Sequence, residues 1–369
     1  MNAWTILKVS SQRMANFSLN KEMFSILWKS SVHRLCRVLK QKKGSSLSSI
    51  SKPLLYFAAA WGPIFVIRMA DRLGKGVRTS PRDALIADST PPESRGLSFG
   101  LHRALDTAGA VVGLGLVALI VFLGQRTHLT LAEETYRTLV LVAALPGFLA
   151  LLILAFFVRD IQGDTVTPSG EQSASKLDGQ FKLFLALSAL FTLGNPSDAF
   201  LILRAQSVGF SVLEVSLVLL LFNVVYSLGA TPLGALADAL GKRRVLVVGW
   251  LLYGLVYLGF ALVTTTWAIW PLFLLYGVYY AMAEGVGRAL VADLIRPERR
   301  GTAYGVYHTA IGITALPASL IAGLLWQGVG SWQGFGPAAP FYFGGGVAFL
   351  AALLLGTCFS QAKTSQVAV

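Results

Sequence analysis

Charged side chains within long apolar runs are the first feature of this sequence that suggests chemistry. Arg68, Asp71 and Lys75 lie in one such run and fall on one helical stripe about 100° wide. Because a charge at the centre of a bilayer costs about 2.5–3.5 kcal/mol on insertion scales, the stripe must face protein or a water-filled cavity. It either attracts an anionic solute or is neutralised by internal ion pairs, and both interpretations stay open. Asp83 and Asp88, nearer the end of the run, are expected to form structural pairs.

A second set of polar groups lies in the next apolar run. His102 and Asp106 are one helical turn apart, so the carboxylate can hold the imidazole or a neighbouring guanidinium such as that of Arg103. Histidine titrates near physiological pH, which makes a proton relay one interpretation and a packed hydrogen-bond network the other. Gly109 and Gly113 lie on the same face and are expected to allow close helix approach.

The segment Asn195-Pro196-Ser197-Asp198 interrupts a later apolar run. Pro196 removes a backbone donor and frees a carbonyl, so a bend flanked by polar groups is expected. Asp198 should lie about 25 Å along its helix, past the membrane midplane. We expect it to contact a cation, a proton or the solute.

Tyr276, Tyr280, Glu284 and Arg288 follow one another at four-residue intervals. This spacing places them near one face of a helix, where Glu284 and Arg288 can neutralise each other. Glu284 is also the residue that we favour for coupling to a driving ion. Weaker candidates are Asn223, Tyr226 and His308.

The composition predicts the class of structure that must hold these groups. The chain has 369 residues, of which 54% are hydrophobic and 13% charged, about half the charge expected of a soluble domain. Repeated apolar runs of 18 or more residues predict an all-α polytopic membrane protein with about ten transmembrane helices. The helices are predicted at 53–90, 97–124, 136–158, 181–207, 211–237, 245–264, 266–293, 301–327 and 338–358.

The net charge of +13 does not indicate nucleic acid, because the basic residues concentrate in short connections on one side. The positive-inside rule makes that side, with the C-terminus, cytoplasmic. Cys36 and Cys358 match no metal-ligand spacing. No metal, cofactor or nucleotide site is expected.

A repeat divides the chain into related halves. Residues 88–100 align without gaps to residues 293–305, at an offset of 205, with Asp, Pro, Glu, Arg and two Gly in register. We therefore predict a basic, aberrant or disordered segment at 1–48, an incomplete first bundle at 49–158 and a cytoplasmic linker at 159–180. A six-helix bundle at 181–360 and a cytoplasmic tail at 361–369 complete the chain.

The motifs resemble those of the major facilitator superfamily. Residues 234–244, Gly-Ala-Leu-Ala-Asp-Ala-Leu-Gly-Lys-Arg-Arg, are similar to the family's signature cytoplasmic loop, although Ala239 stands where the family usually has Arg. The Pro-Glu-Ser-Arg-Gly and Pro-Glu-Arg-Arg-Gly segments at 92–96 and 297–301 resemble the matching loops of the two halves. The resemblance covers about 49–360 and implies two six-helix bundles. The first lacks recognisable family helices 1 and 2, as a truncated or frame-shifted reading of 1–48 would explain.

The resemblance also implies a function. It predicts a monomeric carrier in the plasma (inner) membrane that moves a small solute by rocking of two bundles around a midplane site, driven by protons. Two rivals are a non-transporting remnant without its first helices, and a membrane enzyme, which would need a catalytic constellation that the sequence lacks. Ion pairs at the cytoplasmic mouth would form a gate. The predicted gate residues are Glu93, Arg95, Asp238, Lys242, Arg243, Arg244, Glu298 and Arg300.

Overall fold

The computed structural model describes residues 79–80, 82–124, 138–139, 142 and 178–359, apart from the side chain of Glu298. The predictions for Arg68, Asp71 and Lys75, for the N-terminal segment, for the spans before residue 79 and at 136–158, and for most of the linker and the tail lie outside these residues. We call the part before residue 159 the first half and the part from 178 onward the second half.

The described residues are helical apart from short connections, which confirms the all-α prediction. Six of the described helical segments are long and apolar enough to cross a membrane. The helices are α1 (Arg95–Gly124), α2 (Gly179–Leu193), α3 (Ala199–Ser207), α4 (Val212–Leu240), α5 (Lys242–Leu262), α6 (Ile269–Leu294), α7 (Arg300–Gln327) and α8 (Ala339–Thr357).

Two boundaries differ from the prediction around the signature loop. Helix α4 continues to Leu240 and α5 begins at Lys242, whereas the sequence predicted an end at 237 and a start at 245. Gly241 alone connects them, because its φ of 98° is open to glycine at little steric cost. The opposite end of α4 begins as predicted, with a capping box in which Ser211 and Glu214 bond each other's backbone N–H.

The span predicted at 181–207 is interrupted rather than merely bent. Helix α2 ends at Leu193 and α3 begins at Ala199. The Gly194 carbonyl accepts a 2.9 Å hydrogen bond from the Tyr253 hydroxyl, so an acceptor at the interruption is satisfied within the protein. A Cβ on Gly194 would lie 2.9 Å from the Gly344 carbonyl oxygen, so only a glycine lets α8 approach this closely.

The interior of the second half is aromatic. Phe191 stacks on Trp250 with ring centroids 4.5 Å apart, and Tyr253 stacks on Tyr257 at 4.1 Å. Leucines such as Leu255, which is 59% exposed, cover the outside. This distribution is typical of a bundle whose outer face contacts lipid and whose packing depends on shape complementarity.

Within the described residues, the halves meet most closely where α1 crosses α4. A Cβ on Gly96 would lie 2.4 Å from the Gly234 carbonyl oxygen, and one on Gly100 would lie 2.3 Å from that of Ala230. A Cβ on Gly109 or Gly113 would have no neighbour within 4 Å among the described residues, so close helix approach at these glycines stays a prediction. The close contact at Gly96 and Gly100 lies about three and a half turns earlier, at the start of α1.

Candidate functional site

Glu284 joins the two halves inside the membrane domain. Its carboxylate accepts hydrogen bonds from the Tyr226 hydroxyl and from Arg288 at 2.8 Å. A third partner, Arg103 of α1, reaches across from the first half at 2.9 Å. The predicted pairing of Glu284 with Arg288 is present, but the contact with Arg103 makes the carboxylate a link between halves.

Arg288 connects Glu284 to a second carboxylate, that of Asp83. The Asp83 side chain is fully buried and lies 3.5 Å from Arg288, 3.2 Å from Arg82 and 2.9 Å from Nε2 of His308. The helical segment 82–88 of the first half therefore contacts α6 and α7 of the second. The predicted structural pairing of Asp83 is thus observed.

Helix α1 contributes a third carboxylate, that of Asp106, and a third guanidinium, that of Arg103. Arg103 also contacts Asp106 at 3.2 Å, so the alternative in which Asp106 holds His102 is wrong. Nε2 of His102 is buried and has no hydrogen-bond partner, so far as the described residues extend. With Asp106 included, the described part of the network contains three carboxylates and three guanidiniums.

Asp198 forms a second polar centre, directly before α3. Its carboxylate accepts hydrogen bonds from Tyr276 at 2.7 Å and from Tyr280 at 3.3 Å. The ring of Tyr280 lies 5.4 Å from that of Tyr226, the tyrosine that donates to Glu284. The tyrosines Tyr226, Tyr276 and Tyr280 therefore connect the carboxylate of Asp198 to that of Glu284 along one face of α6.

Asn195 lies at the same interruption. Its Oδ1 accepts a 3.3 Å hydrogen bond from Tyr253, so its side chain supports the interruption beside Asp198. Arg204, at the far end of α3, donates to the carbonyls of Phe260 and Val263 at 2.9 and 2.7 Å and satisfies the C-terminal end of α5.

Two ion pairs at the opposite end of α6 reproduce the sequence repeat in space. Arg95 donates to Asp293 at 2.7 Å, and Arg300 donates to Asp88 at 2.6 Å. Each arginine also donates to the carbonyl of the residue before its acid, Ala292 or Ala87, at 3.4 and 3.2 Å. Arg95 and Arg300 are equivalent under the 205-residue offset, and so are the two acids, so each half donates to the same position of the other. We call this region the gate end.

Asp238 and Lys242 extend the gate end. The Asp238 oxygens accept the backbone N–H groups of Gly96 and Leu97 at 2.9 and 2.8 Å, which caps the N-terminus of α1. Lys242 contacts Asp238 at 3.2 Å and Asp293 at 2.8 Å. A carboxylate of the second half therefore holds a helix of the first half, with a lysine bridging to the reciprocal pairs.

The remaining predicted gate residues are arranged differently. Arg243 donates to the carbonyls of Leu355 and Gly356 at the end of α8, and Arg244 is exposed, as is Glu93. Arg95 and Arg300 each pair with an aspartate, and the side chain of Glu298 lies outside the described residues.

Sequence reasoning missed Arg103 as the partner of Glu284 and Asp293 as the partner of Arg95. The repeat contains a signal for such contacts, because the 205-residue offset maps Asp83 onto Arg288, a position of opposite charge. In a duplicated bundle, positions that are equivalent in the two halves come together at the interface between the halves, so opposite charges at equivalent positions indicate an ion pair. Within the described ranges, no group of three or more His, Cys, Asp or Glu is placed to hold a metal ion.

A polytopic helical bundle whose related halves share charged groups at membrane depth is a membrane transporter of the two-bundle class. The model of the Major Facilitator Superfamily matches residues 44–203 and 183–367. An uncharacterized MFS-type transporter of Methanocaldococcus jannaschii is 37% identical over 323 residues, which are 85% of this chain and 76% of that protein. The chain belongs to the major facilitator superfamily.

Two further comparisons agree. The class E tetracycline resistance protein of Escherichia coli is 24% identical over 268 residues, covering 68% of this chain and 62% of that protein. The crystal structure of a double-tryptophan mutant of XylE superimposes with a TM-score of 0.65 at 16% identity, over 95% of this chain and 90% of the other. At this identity the likeness concerns the fold.

Proposed function

We propose that this protein moves a small solute across the membrane by alternating access and couples the movement to protons at Glu284. The observation that carries the proposal is the position of the Glu284 carboxylate, which bonds Arg103 of the first half and Arg288 of the second. A single proton on this group would therefore change the interaction between the halves.

The physical basis is charge balance. While Glu284 is ionised, it neutralises two guanidiniums that approach from different halves. When it is protonated, Arg103 and Arg288 share a region of low dielectric with one negative charge fewer, and an uncompensated buried charge costs about 3–5 kcal/mol. Glu284 is 32% exposed, so we expect the lower part of this range. Separation of the halves, with water entering between them, relieves that cost.

Separation would break the reciprocal pairs of the gate end. Arg95 with Asp293 and Arg300 with Asp88 join the halves in the described state, and alternating access requires a second state in which they part. The positive-inside rule places this end at the cytoplasm. We therefore assign the described state to one that is closed toward the cytoplasm.

Asp198 with Tyr276 and Tyr280 is the region that we assign to the solute. The carboxylate follows a helix interruption, and its exposure contrasts with the buried Tyr276. Aromatic faces beside a carboxylate suit an amphipathic solute with a cationic or hydroxylated part. The similarity to a tetracycline resistance protein supports export as the direction.

A counterflow assay in proteoliposomes tests the proposal. The parent would be compared with Glu284→Gln, and the panel would include tetracycline, organic amines and organic anions. We expect Glu284→Gln to retain exchange of at least one solute that the parent exchanges but to lose acceleration by a pH gradient. The matched control is Glu214→Gln, because glutamine also completes a capping box and Glu214 lies far from Arg103 in the fold.

Three results would contradict parts of this account. Normal pH coupling in Glu284→Gln would remove the proton assignment. Unaltered exchange in Asp198→Asn would remove the solute assignment. Flux by the parent equal to that of empty vesicles for every solute would favour the non-transporting alternative.

A further inference from the structure

A depression lies on the surface where α4 passes into α5, beside the end of α8. Its volume is ≈ 770 Å³, which is large enough to hold a phospholipid headgroup with the first part of its chains. Its lining includes Leu240, Arg243, Arg244, Val247, Val248 and Gly356. The depression therefore combines two guanidiniums with an apolar wall, away from the network around Glu284.

The cations of this region differ in what they bind. Lys242 is buried and contacts Asp238 and Asp293. Arg243 is held by the carbonyls at the end of α8. Both are thus committed to contacts within the protein.

Arg244 is the exposed cation of the three. Its recorded contact is a weak 3.5 Å approach of Nη1 to the Leu240 carbonyl, and no carboxylate of the described residues lies within 4 Å of it. Asp238 also borders the depression, but its oxygens already accept Gly96 and Leu97 N–H groups and contact Lys242. The depression therefore offers a guanidinium to an external anion.

An apolar face continues from this cation along α5. Val248, Leu251 and Leu255 are 53%, 38% and 59% exposed, and Leu262 further along is 66% exposed. These positions recur at three- to seven-residue intervals on one side of the helix. From Val248 to Leu262 the helix rises about 21 Å, which is longer than the roughly 15 Å hydrocarbon layer of one leaflet.

We propose that this groove binds an anionic phospholipid, with its phosphate on Arg244 and an acyl chain along Val248, Leu251 and Leu255. Charge complementarity decides the occupant, since a guanidinium with no carboxylate partner among the described residues lies at one end of a long apolar face at the membrane boundary. Basic recesses between helices at this boundary suit acidic headgroups better than zwitterionic ones. The site is separate from the transport proposal and does not depend on it.

Native mass spectrometry of the full chain tests the site. The protein would be delipidated in detergent and titrated with dioleoyl phosphatidylglycerol or dioleoyl phosphatidylcholine. We expect preferential retention of phosphatidylglycerol, lowered about tenfold in Arg244→Ala, which corresponds to the loss of roughly 1.4 kcal/mol. Val248→Trp, which fills the groove without removing charge, should lower it as well. The matched control is Arg296→Ala, which removes another exposed arginine, outside the groove, and should retain the lipid as the parent does.

Several outcomes would overturn the proposal. Equal retention of the two lipids by the parent, or equal loss in Arg296→Ala and Arg244→Ala, would mean that surface charge alone acts. Competition by glycerol 3-phosphate at the concentration of the lipid would indicate a free-anion site. Thermal unfolding of each variant, compared with the parent, separates a lost site from a lost fold.

Discussion

The two ends of α1 lie in different surroundings. At its start, Gly96 and Gly100 pack against the backbone of α4 so closely that a Cβ would overlap a carbonyl oxygen. Further along, Gly113 has no such neighbour within 4 Å in the part of the chain that the structure describes, and Leu123 is 73% exposed. One continuous helix is therefore fixed to the other half at one end and presents apolar side chains at the other.

The equivalent helix of the second half has the same asymmetry. Arg300 and Tyr304 at the start of α7 are buried, whereas Ile313 and Leu316 are 69% and 65% exposed. The ion pairs at the gate end involve the start of α1, the start of α7 and the residues before each. The comparison teaches that the described contacts between halves are concentrated at one end, so a change there can alter the relation of the halves without unfolding either.

The largest effect is expected where backbones touch. In Gly100→Val, the new side chain would meet the Ala230 carbonyl, and overpacking of this kind costs about 3 kcal/mol or more because a backbone cannot move aside. Gly113→Val, whose Cβ has no described neighbour within 4 Å, should leave stability close to that of the parent. Thermal unfolding in detergent measures both. Similar melting temperatures for the two variants would disprove the claim that packing differs between the ends of α1.

The reciprocal ion pairs should give the next largest effect. Arg95→Ala and Arg300→Ala each leave an aspartate without its arginine, and we expect each to cost about 1–3 kcal/mol, less than a fully buried pair because the acids are 25% and 40% exposed. The repeat predicts a loss at both positions, and the loss in Arg95→Ala should be the smaller because Asp293 keeps its 2.8 Å contact with Lys242. Double-mutant cycles with Asp293→Asn and Asp88→Asn measure the coupling energy of each pair. A coupling energy near zero for either pair would contradict the claim that both pairs hold the halves together.

Loss of the α1 cap should be smaller. Asp238→Asn keeps an oxygen for one N–H group of α1 but removes the charge that faces Lys242. We expect a loss of about 1 kcal/mol. The melting temperature of Asp238→Asn should fall between those of the parent and Arg95→Ala. A loss larger than that of Arg95→Ala would mean that the cap, not the reciprocal pairs, fixes the gate end.

The smallest effect is expected away from the gate end. Ser211→Ala removes the capping box of α4 and should cost about 0.5–1 kcal/mol. Labelling of a cysteine at the gate end should be unchanged in this variant. Faster labelling in Ser211→Ala would show that any loss of stability opens the gate end. The claim that the contacts at the gate end control the relation of the halves would then be contradicted.

The sequence predicted the fold well because hydropathy and the repeat are encoded locally. Long apolar runs gave the helices of the second half, and Pro196 indicated the interruption before Asp198. The apolar run beginning at 211 predicted the start of α4, whereas the sequence did not show that Gly241 alone would connect α4 to α5, since a glycine's type does not fix its φ. The polar partners were harder, because which arginine reaches Glu284 depends on how two helices cross. Spacing along one helix found Arg288 and could not find Arg103.

Reactivity of a buried cysteine at the gate end tests the central claim most directly. Ala292 is 1% exposed, so Ala292→Cys, with Cys36 and Cys358 replaced by serine, should react slowly with N-ethylmaleimide. Ala352→Cys, at a fully buried position of α8, reports unfolding and should stay unreactive throughout. We predict that Glu284→Gln, which mimics the protonated acid, raises the rate at position 292 at least about tenfold, equivalent to roughly 1.4 kcal/mol, whereas Glu214→Gln does not. Equal rates in Glu284→Gln and the parent would contradict the account, because the carboxylate that joins the halves would then have no influence on whether they part.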